Sequence, residues 1–125
     1  MEHDKRVKSG KGLDVLERVR ETCACMLEVE EKVDSFGHSS FRVNNKPFVM
    51  IGENDHEGSI AIKTDHASQE ILLQQGRYYK TPYIGQHGWV SLRLTEVLDW
   101  AELNDLIVEA YLRIAPKRLA RRLKE

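Results

Sequence analysis

The sequence predicts a single α+β domain: an antiparallel β-sheet packed by an N-terminal helix, a short middle helix and a long C-terminal helix. Three observations predict it. Phe41-Arg42-Val43-Asn44-Asn45-Lys46-Pro47-Phe48-Val49-Met50-Ile51 sets two apolar runs around a polar turn of residues that tolerate φ > 0, which is how a β-hairpin reads. Strand-like runs follow one another across polar turns, with too few helices between them for parallel crossovers. Asp99 opens a long segment in which Trp100, Leu103, Leu106, Ile107, Ala110, Tyr111 and Ile114 line one helical face. A chain of 125 residues can bury one such core unaided.

In chain order, residues 1–11 are charged, lack apolar periodicity and are expected to form a mobile lead-in. From Leu13, the positions Leu16, Val19 or Arg20, Cys23, Met26 and Leu27 recur at helical spacing. Val29 to Phe36 alternates loosely, Gly37 ends it, and the 41–51 hairpin follows. Glu53-Asn54-Asp55-His56-Glu57-Gly58 is a polar turn into the alternating strand Ser59–Lys63. Thr64 or Asp65 caps a short helix that runs through Gln75, rests on Ile71 and Leu72, and stops at Gly76. Tyr78 to Ile84 contains Pro82 and is at most an edge strand. Gly85-Gln86-His87-Gly88 turns into the strand Trp89–Leu94. Asp99 and Glu102 have the spacing of a capping box for the last long helix. Pro116 stops or kinks that helix.

In this order, Gly37-His38, Arg42-Val43, Lys46-x-Phe48, Tyr83-x-Gly85-x-x-Gly88-Trp89-Val90 and Tyr111 with Pro116-Lys117 form a set that resembles the MmcQ/YjbR family. The resemblance runs from Leu13 to Leu119, and the domain is placed at 12–119, with 120–125 as a basic tail. It implies an antiparallel sheet packed by helices, near the secretion-chaperone-like folds. Members are commonly labelled DNA-binding from the look of the fold, and the resemblance implies no defining reaction. One position departs: Asn45 stands where the family usually has Gly, and Asn also tolerates the left-handed region.

The net charge of −1 hides an uneven distribution. Residues 1–11 carry +2, residues 116–125 carry +4, and the body between them −7. Non-specific nucleic-acid binding runs on phosphate neutralisation, so an acidic body restricts it to a local basic patch. No apolar run reaches the roughly 20 residues of a membrane helix. The N-terminus lacks the apolar stretch of a secretory signal, so a cytoplasmic protein without membrane contact is expected. If their stretch is helical, Cys23 and Cys25, two apart, point to nearly opposite sides, and one buried and one partly exposed free thiol are expected.

Residues suited to catalysis do not converge. The serines lack a nucleophile motif, and no phosphate loop or His-Glu-x-x-His helix is present. His38 and His87 both sit in Gly-flanked turns, but two imidazoles without a third ligand make no metal site. The Glu53–Glu57 carboxylates lack the spacing of a calcium loop. No enzyme activity, metal or cofactor is therefore expected.

Two basic surfaces remain. Strand alternation sends Arg42, Lys63 and Arg93 away from the core together with Trp89, a face that can track phosphates and stack a base. The C-terminal segment places Leu119 and Leu123 four apart and surrounds them with Lys117, Arg118, Arg121, Arg122 and Lys124. The functional expectation is a small binding protein with weak, sequence-independent affinity for DNA or another nucleic acid. The alternative is a protein-interaction module that pairs with a protein partner through an edge in the apolar stretch from Tyr78-Tyr79 to Ile84.

Overall fold

Alternating strands and turn residues with the right backbone freedom build the sheet on which everything else is placed. The computed structural model describes residues 4–54 and 57–124. His3, His56 and the centre of the carboxylate-rich 53–57 turn lie outside the described residues. Strands β1 (Glu30–Val33), β2 (Ser39–Val43), β3 (Lys46–Asn54), β4 (Glu57–Lys63), β5 (Tyr78–Lys80) and β6 (Trp89–Arg93) form one sheet in the order β1-β2-β3-β4-β6-β5. Every neighbouring pair is antiparallel. At the β2–β3 turn, Asn44 and Asn45 have φ of 53° and 61°, the left-handed pair that matches a two-residue hairpin to the twist of its strands. A register shift at Phe41/Arg42 leaves Phe48 as the extra residue on β3, and Phe48 and Val49 are both fully buried.

Phe41, Val49, Ile62 and Val90 share one row across the sheet, and Ile51, Ile60 and Leu92 the next. Helices α1 (Gly10–Cys23) and α3 (Trp100–Ile114) cover this face. Val15, Leu16 and Val19 of α1 join Leu103, Ile107, Ala110 and Tyr111 of α3 in the same buried cluster. α2 (His66–Gln74) packs against β5 and β6 at the sheet edge. Three expected contacts are corrected. Leu13 is exposed, because the buried stripe of α1 runs Val15, Leu16, Val19, Cys23; Leu27 is exposed, because α1 ends at Cys23 before reaching it; Ile71 is 61% exposed, because α2 turns Gln69 and Leu72 inward instead. Among the described residues, no helix is long and apolar enough to cross a membrane.

Asp65 caps α2 by accepting from the Ser68 N–H at 2.7 Å, and Asp99 caps α3 by accepting from the Glu102 N–H at 3.2 Å. The capping box does not close. The Glu102 carboxylate reaches the Tyr78 hydroxyl at 2.6 Å and Arg77 at 3.2 Å, tying α3 to the start of β5.

The lead-in is strapped to the sheet rather than left free. The Lys5 N–H donates to the Phe36 carbonyl at 2.7 Å, and the Glu53 N–H to the Lys5 carbonyl at 2.9 Å. The Glu53 carboxylate then accepts from the Lys8 N–H, the Ser9 N–H and the Ser9 hydroxyl, just ahead of α1. Gly10 and Lys11 already belong to that helix. Burial pushes the Glu53 carboxyl upward, but the hydrogen bonds from Lys8 and Ser9 outweigh it and hold the group below its ordinary value of 4.5. A carboxyl lowered in the folded state stabilises the fold above pH 4.5 and loses that contribution as the pH falls through its folded value. Glu53→Gln should therefore lower the urea midpoint at pH 7 and narrow its gap to the wild type in acid. A gap that stays constant with pH would count against the strap.

Pro116 closes α3 and sets the start of α4 (Lys117–Lys124). Leu119 is 2% exposed within the main core, and Leu123 packs against it. The boundary expected at residue 119, with 120–125 as a separate tail, thus falls inside a docked helix.

Candidate nucleic-acid interface

The register decides which outward residues meet. One step beyond the Phe41–Val49–Ile62–Val90 row, on the face away from the helices, lie Arg42, Lys63 and Trp89. Arg93 pairs with Ser59 at the far end of β6, four residues from Trp89 and therefore roughly 14 Å along the strand. The structure thus brings Arg42 and Lys63 into one row and leaves Arg93 apart.

None of the three is a free cation. The Arg42 Nε–H donates to the Ser40 hydroxyl at 3.0 Å. Lys63 donates to the His87 carbonyl, and its ammonium is pushed below its ordinary value by burial first and by Arg113 second. Arg93 pairs with Glu57 at 3.3 Å and lies over the Tyr79 ring at 4.4 Å. Trp89 corrects the expectation of a stacking platform: it is 5% exposed and offers no ring face to a base.

The turn that enters β6 explains the sequence signature around it. Five consecutive carbonyls, Gly85 to Trp89, accept hydrogen bonds from side chains of residues 63–69. Gln69 donates to Gly85 at 2.7 Å and to Trp89 at 2.9 Å, and His66 Nε2 to Gln86 at 2.7 Å. Lys63 reaches His87, and the Thr64 hydroxyl reaches Gly88 at 2.5 Å. The motif Tyr83-x-Gly85-x-x-Gly88-Trp89 therefore serves architecture in its second half.

The histidine pair does not form. His38 lies level with Gly52 and Ser59, at the Arg93 end of the sheet, where its Nδ1 meets Asp34 at 3.0 Å. His87 precedes Trp89, at the opposite end. Among the described residues, no group of three potential ligands is placed to hold a metal ion.

The other cations of the expected set sit on α4. Arg118 is held by both oxygens of Glu28, at 2.9 and 3.1 Å, an exposed pair that salt weakens. Lys117, Arg121 and Arg122 are exposed and have no ion-pair partner among the described residues. The α3–α4 junction lies at the Lys63 end, because Arg113 donates to the Lys63 carbonyl at 3.4 Å and pairs with Asp65 at 3.3 Å. Glu28 precedes Glu30, which pairs across the sheet with Arg42. One end of the molecule therefore carries Arg42, Lys46, Lys63, Lys80, Arg113 and the α4 cations, together with Glu28, Glu30 and Asp65. The other carries Asp34, Glu53, Glu57 and Glu96 beside the lead-in, where Arg6 and Lys8 pair with Asp4.

Sequence reasoning missed the carbonyl clamp of Thr64, His66 and Gln69, because partners about 20 residues apart leave no periodic trace. It named Tyr83 only as part of a motif; the residue is 95% exposed at φ 69°.

Comparison with known proteins agrees with this architecture. The YjbR family model matches residues 26–113, which takes in the sheet, α2 and nearly all of α3 but neither α1 nor α4. The crystal structure of the Deinococcus radiodurans protein DR2400, described with a DUF419 domain, is similar with a TM-score of 0.70. It is 17% identical, and the match covers 87% of each chain. At that identity the likeness concerns the fold alone. No curated protein matches the chain.

Proposed function

The chain belongs to the YjbR family, and from that premise we propose that it is a small, non-catalytic protein that binds nucleic acid weakly through phosphate contacts at the basic end of its sheet. The observation that carries the reading is α4: Leu119 fixes the helix in the core while Lys117, Arg121 and Arg122 face water unpartnered among the described residues. Phosphate contacts of this kind supply affinity without sequence information. The sheet face has less support, since its cations are engaged and Trp89 is buried. A protein-interaction module pairing through β5 also has less support. That edge is three residues long, Tyr78 is buried, and Tyr79 lies beneath Arg93.

Electrophoretic and anisotropy titrations at low ionic strength test the proposal. Binding should fall steeply with salt. Arg121→Gln with Arg122→Gln should weaken it and flatten the salt slope by roughly 0.9 per contact removed. Arg93→Gln, at the far end, should change little. If neither single- nor double-stranded nucleic acid is bound even at low salt, the proposal fails and the protein-interaction module becomes the better reading.

A further inference from the structure

We infer that Tyr83 is a base-stacking residue that directs this surface toward single-stranded nucleic acid, an inference that rests on the phosphate-binding reading above. Its ring is 95% exposed, the most exposed of the large hydrophobic side chains described. Its backbone is bent the costly way. φ is 69°, and the Ile84 N–H donates to the Pro82 carbonyl at 2.8 Å, closing a tight three-residue turn around Tyr83. A left-handed turn of this kind is rare and strained, and an aromatic residue is a poor occupant of it. The ring adds no burial to the fold in return.

The bend is nevertheless held firmly. The Gly85 N–H donates to the Thr81 carbonyl at 2.8 Å, and Thr81 and Ser91 share a hydroxyl–hydroxyl bond of 2.8 Å. Immediately downstream, the clamped carbonyls from Gly85 onward fix the other side of the loop. Strain imposed by surrounding structure on a displayed side chain is a mark of binding sites. A rigid aromatic loses little freedom when a ligand covers it.

The surroundings select the ligand. The Lys80 side chain lies against Gly85 and is exposed, whereas the Lys63 ammonium is already bonded to the His87 carbonyl, so Lys80 is the cation beside the loop that is open to a phosphate. An exposed ring beside such a cation matches an unstacked base and its phosphate. A duplex keeps its base faces occupied and can meet only the cations. Tyr83 thus supplies the stacking face that the buried Trp89 cannot.

The test uses the full chain with a labelled mixed-sequence DNA oligonucleotide, either single-stranded or annealed to its complement. The wild type should prefer the single strand. Tyr83→Ala should weaken single-strand binding by about 5- to 150-fold, the usual range for one stacked base, and leave duplex binding unchanged. Tyr83→Phe should keep the preference. Tyr83→Gly should lose it while melting no lower than the wild type, which separates lost binding from lost folding. If Tyr83→Ala binds the single strand as the wild type does while the Arg121 and Arg122 changes still weaken binding, the stacking role is overturned and the phosphate reading stands. If the wild type binds neither form, both are overturned.

Discussion

Gly88→Ala should destabilise the protein by on the order of 3 kcal/mol or more, because two independent penalties fall on one methyl group. The first is conformational. Gly88 sits at φ 95°, where a Cβ costs about 1–2 kcal/mol. The second is steric. That Cβ would lie 2.1 Å from the Thr64 carbonyl oxygen, a backbone atom that cannot swing aside. Thr64 is held in place by its own N–H donating to the Gly88 carbonyl at 3.1 Å and by its hydroxyl on the same oxygen. Relief requires the ends of β4 and β6 to part, which would release the carbonyl clamp as well. Gly10→Ala is the matched control, since its added Cβ meets nothing within 4 Å at the first position of α1. Urea midpoints for the two variants should diverge widely. An unshifted midpoint for Gly88→Ala would show that the turn is not as described.

Tyr111→Ala should cost about 3–5 kcal/mol, the range for deleting a buried aromatic. The ring is fully buried and meets Phe48 edge-on at a centroid distance of 5.8 Å, so its loss opens a cavity between α3 and the bulged strand β3. The hydroxyl does separate work. It donates to the Leu27 carbonyl at 2.7 Å and so pins the α1–β1 connection, beside which Arg118 of α4 holds Glu28. Tyr111→Phe should cost only about 1 kcal/mol, one hydrogen bond next to exposed chain. Equilibrium unfolding of the two variants separates the ring from its hydroxyl. Equal losses would contradict the packing described.

The parts of the fold that were legible in the sequence are those decided by local chemistry. Asn44 and Asn45 tolerate the left-handed backbone that the hairpin needs, and the pair Thr64-Asp65 and Asp99 announce helix starts. Alternation at Ile60, Ile62, Leu92 and Leu94 names the core face. What misled were residues whose fate depends on partners distant in the chain. Glu102 has capping-box spacing, yet the Tyr78 hydroxyl competes for its carboxylate. Ile71 looks like a core residue, yet Gln69 is turned inward to satisfy two carbonyls. The lead-in has no apolar pattern, yet Glu53 collects its N–H groups. The candidate interface was half legible for the same reason. Charge counting located α4, whereas the separation of Arg93 from Lys63 and the burial of Trp89 depend on strand register and side-chain packing.

β1 has a consequence beyond architecture. It borders the sheet with its outer row of peptide groups unpaired by any neighbouring strand of the sheet, and all four of its residues are exposed. Such a border invites a strand from another molecule to add on, and a chain of net charge −1 with pI near 6.5 has little overall repulsion to prevent it. Glu30, Glu31 and Lys32 place charge of both signs along that border, and Arg20 of α1 holds Glu31 there through two bonds of 2.8 Å. On this edge the resistance of the protein to sheet-to-sheet aggregation thus rests on one short strand that contributes almost nothing to the core.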